Sequence, residues 1–195
     1  MRKLITREEK DKKTKRNQLI AGGFLILLMI FSSLGYAFSS KGEESITNKV
    51  NYNEIEFTLD NSGYWNSVIQ GKEFITKHNP EEIKDILFLT NLKISSYVDK
   101  PLYFVGDLGE GSSEISRNLA ERFVLRIQQA CLSEKDCISN FPIKNCSSDN
   151  IIIFKEISNN GTESIYQEEN CVYIYAGYEN QTRYADKLLF SLLNI

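Results

Sequence analysis

Gln18–Phe38, QLIAGGFLILLMIFSSLGYAF, runs for 21 residues without a charged side chain, and its centre from Phe24 to Phe31 is apolar without a break. A helix needs about 20 residues to cross the hydrocarbon core of a bilayer. A helix apolar on every side suits a membrane better than the surface of a soluble domain. The stretch therefore predicts an N-terminal transmembrane helix, and the rest of the chain divides around it. A basic tail occupies residues 1–17, the span residues 18–38, a polar tether (SSKGEESITNKVN) residues 39–51, and a folded domain residues 52–195.

Charge orients the span. Arg2, Lys3, Arg7, Lys10, Lys12, Lys13, Lys15 and Arg16 precede it, while only Lys41 and Lys49 follow it as far as Leu59. Basic flanks stay on the cytoplasmic side, so the expected protein is single-pass in the cell membrane, with its C-terminal domain outside. Gly35-Tyr36-Ala37 also places small residues where a signal peptidase cuts, and cleavage after Ala37 would release a secreted binding module. A pilin-type leader needs Gly or Ala where Asn17 stands.

Beyond the tail, 15 basic residues face 23 acidic ones, a net of −8. That surface repels nucleic acid and anionic lipid headgroups. The tail carries no aromatic residue to support nucleic-acid binding, and its basic cluster reads as a topology signal. With ten Tyr, eleven Phe and one Trp, the chain has the aromatic content of a folded domain.

Cys131, Cys137, Cys146 and Cys171 all fall on the expected outer side. An even count in an exported domain reads as two disulfides. The pairing Cys131–Cys137 with Cys146–Cys171 is favoured, because it closes one short loop and ties it to a late strand. The spacing C-x5-C-x8-C-x24-C, with no nearby His, lacks the close ligand pairs of a zinc site. Asn145, Asn160 and Asn180 begin N-glycosylation sequons, with Asn160 placed on the turn Asn159-Asn160-Gly161.

Apolar alternation predicts strands at Ile55–Leu59, Tyr64–Ile69 and Lys72–Lys77, a β-meander. Asn79-Pro80-Glu81-Glu82 has the features of a helix start, and Ile83, Ile86, Leu87 and Thr90 form one apolar face behind it. Pro101–Val105 reads as a strand buried on both faces. A helix is expected from Ser113 to Leu132, on the repeat Ile115, Leu119, Phe123 and Ile127. Ile151–Ile157 and Ser164–Glu168 flank Asn159-Asn160-Gly161 as a hairpin, followed by a strand at Cys171–Ala176 and a helix at Thr182–Leu193. The predicted fold is α+β, a largely antiparallel sheet packed by about three helices.

Gly106-Asp107-Leu108-Gly109-Glu110-Gly111-Ser112 joins a buried strand to a helix N-terminus, where free amides can hold an anion. It lacks both the P-loop lysine and the dinucleotide glycine spacing, and Asp107, Glu110 and Glu114 repel phosphate. Glycine here meets a backbone requirement. Asp107 and Glu110 remain a candidate ligand loop, as paired carboxylates. His78, the one histidine, is the only imidazole available to a hydrolase. No catalytic set, metal set or cofactor motif is recognised.

The layout resembles small uncharacterised archaeal surface proteins with a basic tail, one N-terminal span and a Cys-containing α+β ectodomain. The Asn145-Cys146 region and the helical C-terminus from Leu188 to Ile195 carry that resemblance. It implies a compartment and no activity. The expected function is a membrane-anchored, extracytoplasmic interaction domain working through a protein or surface-polymer partner. The alternative is an extracytoplasmic hydrolase using Asp107, Glu110 or His78.

Overall fold

The computed structural model describes residues 7–39, 48–137, 140–157 and 161–195. They form two compact units, Met1–Ile46 and Thr47–Ile195. The first is a helix, α1 (Arg7–Ser39), on which the side chains of Leu19 and Phe24 to Phe31 are exposed. Among the described residues, no helix is long and apolar enough to cross a membrane.

The second unit begins with four antiparallel strands in sequential order: β1 (Lys49–Tyr52), β2 (Ile55–Leu59), β3 (Trp65–Ile69) and β4 (Lys72–Thr76). β1 falls within the segment expected to be tether and Tyr52. Alternating residues of β2 to β4 turn Phe57, Trp65, Ile69 and Phe74 into the core. Five further strands, β5 (Pro101–Gly106), β6 (Arg126–Gln129), β7 (Asn150–Glu156), β8 (Ser164–Glu168) and β9 (Cys171–Ala176), build a second sheet of order β6-β5-β7-β9-β8. The fold is α+β, with three α-helices among the described residues, and strand pairing is largely antiparallel. The parallel ladders are confined to β6-β5-β7-β9, with β8 antiparallel at the edge.

Helices α2 (Glu110–Leu119) and α3 (Gln181–Leu193) pack between the sheets. On one side Phe190 meets Phe57 edge-on at 5.7 Å. Asn118 lies alongside β4, accepting the Ile75 N–H at 2.9 Å and donating to the Ile75 carbonyl at 2.8 Å. On the other side Leu102, Phe104, Ile152, Phe154, Val172 and Ile174 close the same core. Lying between two sheets, α3 is buried around most of its circumference, including Asp186.

Four expectations are corrected. Residues 79–90 form no helix. Asn79 and Glu82 do exchange capping hydrogen bonds, but the chain then extends, burying Ile86 and Phe88 and exposing Leu87 and Leu89. The helix expected over Ser113–Leu132 ends at Leu119, because Ala120 is extended and Glu121 takes a φ of 59°. The residues beyond it include β6, where Ile127 reaches the core from a strand. The expected β7–β8 hairpin does not form either: β9 inserts between them and pairs with both. The expected single sheet is two.

Candidate functional site

β5 sits between β6 and β7, so the chain leaves its carboxyl end in one direction and later returns on the other side. Such a reversal opens a crevice beyond the carboxyl ends of parallel strands, where ligands bind in open α/β sheets. A cavity of about 550 Å³ lies there, lined by residues following β5 and β6 and by the end of β7. Its apolar walls are Val105, Ile153, Ala130, Leu132 and Phe141; its charged groups are Asp107 and Lys155. The volume falls within the range of about 300–1,000 Å³ typical of small-molecule sites.

Strand alternation explains the wall. Leu102, Phe104, Ile152 and Phe154 point to the helices, so Tyr103, Val105, Ile151 and Ile153 point to the opposite face. Among the described residues of this unit, α2 and α3 both pack on the other face, and part of this one is roofed by residues of the segment between β6 and β7. The disulfides brace this segment, joining Cys131 to Cys137 and Cys146 to Cys171, the favoured pairing. Backbone bonds from Cys131 to Pro142 and from Lys144 to Cys131 hold it beside β6. Leu132 and Phe141 thereby reach the cavity.

The same face carries three aligned rings on β8 and β9. Tyr166 stacks on Tyr173 with centroids 4.8 Å apart and lies 5.9 Å from Tyr175. The Lys155 ammonium is 5.5 Å from the Tyr175 ring centroid, joining the cavity to this aromatic row. A hydrogen bond to Tyr175 is the main cause raising the Tyr166 hydroxyl to about 12.

The glycine loop is built for close packing. Gly106 has a φ of 94°, and a Cβ there would lie 2.0 Å from the Phe154 carbonyl oxygen. At Gly109 and Gly111 a side chain would strike Tyr178 and Gln181, which lie against the α2 N-terminus. Asp107 Oδ2 accepts the Glu156 N–H at 3.1 Å, and its carbonyl accepts from Gln181 at 3.0 Å. Asp107 thus stands at the cavity, whereas Glu110 opens α2 and is not among its lining.

His78 lies elsewhere. Asp186 Oδ2 accepts from the His78 backbone N–H and bonds its Nδ1, both at 2.9 Å. Asp186 Oδ1 is buried without a hydrogen-bond partner among the described residues, and the carboxyls of Asp186 and Glu114 act on each other's charge. Glu114 also accepts the Lys77 N–H and pairs with Arg117. Burial raises Asp186 to about 8 and, with the charge of Asp186 adding to it, raises Glu114 to about 7. Two buried carboxyls in contact share a proton. Burial also lowers His78, against the pull of Glu82.

Among the described residues, no His, Cys, Asp and Glu group is arranged to hold a metal ion. Asn145 is exposed and caps a local turn through Ser148, the Asn180 amide donates to Glu163 at 2.9 Å, and Asn160 lies outside the described residues. Sequence reasoning singled out Asp107 but missed Lys155 and the apolar lining, which look like ordinary strand and loop residues. It also missed Asp186, which sits between Arg183 and Lys187 in the sequence and reads there as one more surface charge of a helix, although it is fully buried. Comparisons with protein-family models, curated proteins and solved structures find no match for the chain.

Proposed function

We propose that the chain is a single-pass membrane-anchored, extracytoplasmic binding protein whose ligand enters the cavity beyond β5, β6 and β7. The anchor is residues Gln18–Phe38, an uncharged stretch that continues to Phe38 and follows a strongly basic tail. Two disulfides in the folded unit support an oxidising, external compartment. The observation that carries the binding reading is the apolar cavity at the sheet's switch point, with two charged groups in its wall. A protein or surface-polymer partner would use it by inserting one apolar group.

The test is thermal unfolding of the full chain in lipid nanodiscs against a small-molecule panel and fragments of cell-surface polymer. Compounds that raise Tm should lose that effect in Val105→Phe, which fills the cavity. A panel with no stabilising compound, or stabilisation indifferent to the filled cavity, overturns the reading. The hydrolase alternative has the His78–Asp186 hydrogen bond in its favour, but neither residue lines the cavity. For the secreted alternative, the N-terminal residue of the mature protein decides: a chain beginning at Phe38 has lost its anchor.

A further inference from the structure

We propose that the cavity binds a small zwitterion with an apolar body, of the apolar amino acid or dipeptide kind. Asp107 takes its ammonium and Lys155 its carboxylate. This rests on the reading of the cavity as the ligand site and adds the chemistry of the ligand. The walls Val105, Ile153, Ala130, Leu132 and Phe141 call for an aliphatic or aromatic group.

The two charged residues set the rest. Asp107 Oδ2 is occupied by the Glu156 N–H, and among the described residues Oδ1 has no partner. Lys155 is exposed, leans over the Tyr175 ring, and has no carboxylate partner among the described residues. A ligand bearing only an anion would meet the Asp107 charge, and one bearing only a cation would meet Lys155. A neutral apolar ligand would displace water from both charges and replace it with nothing. A ligand carrying both charges beside an apolar group satisfies every wall at once. The two residues close the carboxyl ends of adjacent parallel strands, β5 and β7, so they flank a single entrance.

The experiment is calorimetric titration of the full chain, disulfides intact, in lipid nanodiscs. The probes are L-phenylalanine, L-leucyl-L-leucine and two single-headed analogues, 3-phenylpropanoate and 2-phenylethylamine. At least one zwitterion should bind at least tenfold tighter than both analogues. Asp107→Asn, which keeps an acceptor for the Glu156 N–H, and Lys155→Met, which keeps the aliphatic stem, should each remove most of that advantage. Equal binding of zwitterions and analogues, or indifference to both substitutions, overturns the proposed ligand. If Val105→Phe still abolishes that equal binding, the cavity survives as the site and only the zwitterion assignment fails. Binding unaffected by Val105→Phe overturns both readings, as does the absence of binding by every probe together with a silent panel in the unfolding test. Should Val105→Phe fail to fold, Leu132→Trp fills the cavity from its exposed side.

Discussion

Asp186 and Glu114 are carboxyls in a place built for a neutral group. Both sit between layers, and burial holds both pKa values far above those of the unfolded chain, at about 8 and about 7. The folded protein therefore binds more protons than the unfolded chain between roughly pH 4 and pH 8. Their contribution is fully present below the unfolded pKa and is lost as pH rises through the folded one. His78 acts oppositely, because its lowered pKa favours the fold only as pH rises toward its unfolded value. Stability should fall by on the order of 2–4 kcal/mol from pH 5.5 to pH 8.5. Denaturant unfolding across that range reads it, and Asp186→Asn should flatten the slope; a slope rising with pH would contradict the shared proton. Gly106 makes a second prediction at this scale. Its φ of 94° and the 2.0 Å approach of the Phe154 oxygen leave no room for a methyl group, so Gly106→Ala should cost at least about 3 kcal/mol in denaturant unfolding. That glycine was legible in sequence as a backbone requirement. Lys155 as a cavity residue was not, because its role depends on two strands far apart in the chain.

The elements that sequence revealed were those whose burial period is local. β2, β3 and β4 alternate, β5 and β9 are continuously apolar, and α3 carries the apolar run Leu188, Leu189, Phe190, Leu192 and Leu193; each formed close to its expected bounds. The failures have a common cause, since local signals were overridden by contacts made from elsewhere. The capping pair at Asn79 and Glu82 is present, yet Thr90 and Asn91 bond Gln167 on β8 and draw the chain out straight. The repeat through Phe123 and Ile127 looked helical. However, Arg122 bonds the Glu73 carbonyl and Lys72 bonds the Arg122 carbonyl, fixing a turn after Leu119. The turn signal in the sequence Asn159-Asn160-Gly161 had no bearing on which strand β7 would pair with. The disulfides fared better, since a short loop and a late strand were their natural partners. They predict an ordering: closing 25 residues should contribute about 3.5 kcal/mol and closing six about 2 kcal/mol. Replacing both Cys146 and Cys171 with Ser should thus lower the unfolding midpoint more than the same change at Cys131 and Cys137. The reverse order would show that the short loop, through Leu132 and Phe141, matters more to the core than its length implies.

At the scale of the whole molecule, charge and apolarity are segregated along the chain. Eight basic residues and three acidic ones lie in the first 17, and the remainder is acidic by 8. The uncharged stretch between them belongs to a different compact unit from the disulfide-braced domain. If Gln18–Phe38 is an anchor, moving the acidic domain across the bilayer while the basic tail stays behind follows the membrane potential at both ends. The full chain should then resist carbonate extraction from membranes. Protease added outside intact cells should remove the domain and leave a short basic fragment protected. Deleting residues 18–38 should abolish membrane retention. Replacing the tail's eight Lys and Arg by Gln should leave the span's length unchanged but weaken its orientation, so that a fraction of domains becomes protease-resistant and, held in the reducing cytoplasm, lacks both disulfides. Orientation and oxidation would thus fail together in the same molecules. Domains that are protected yet fully oxidised would break that link and place disulfide formation somewhere other than the far side of the anchor.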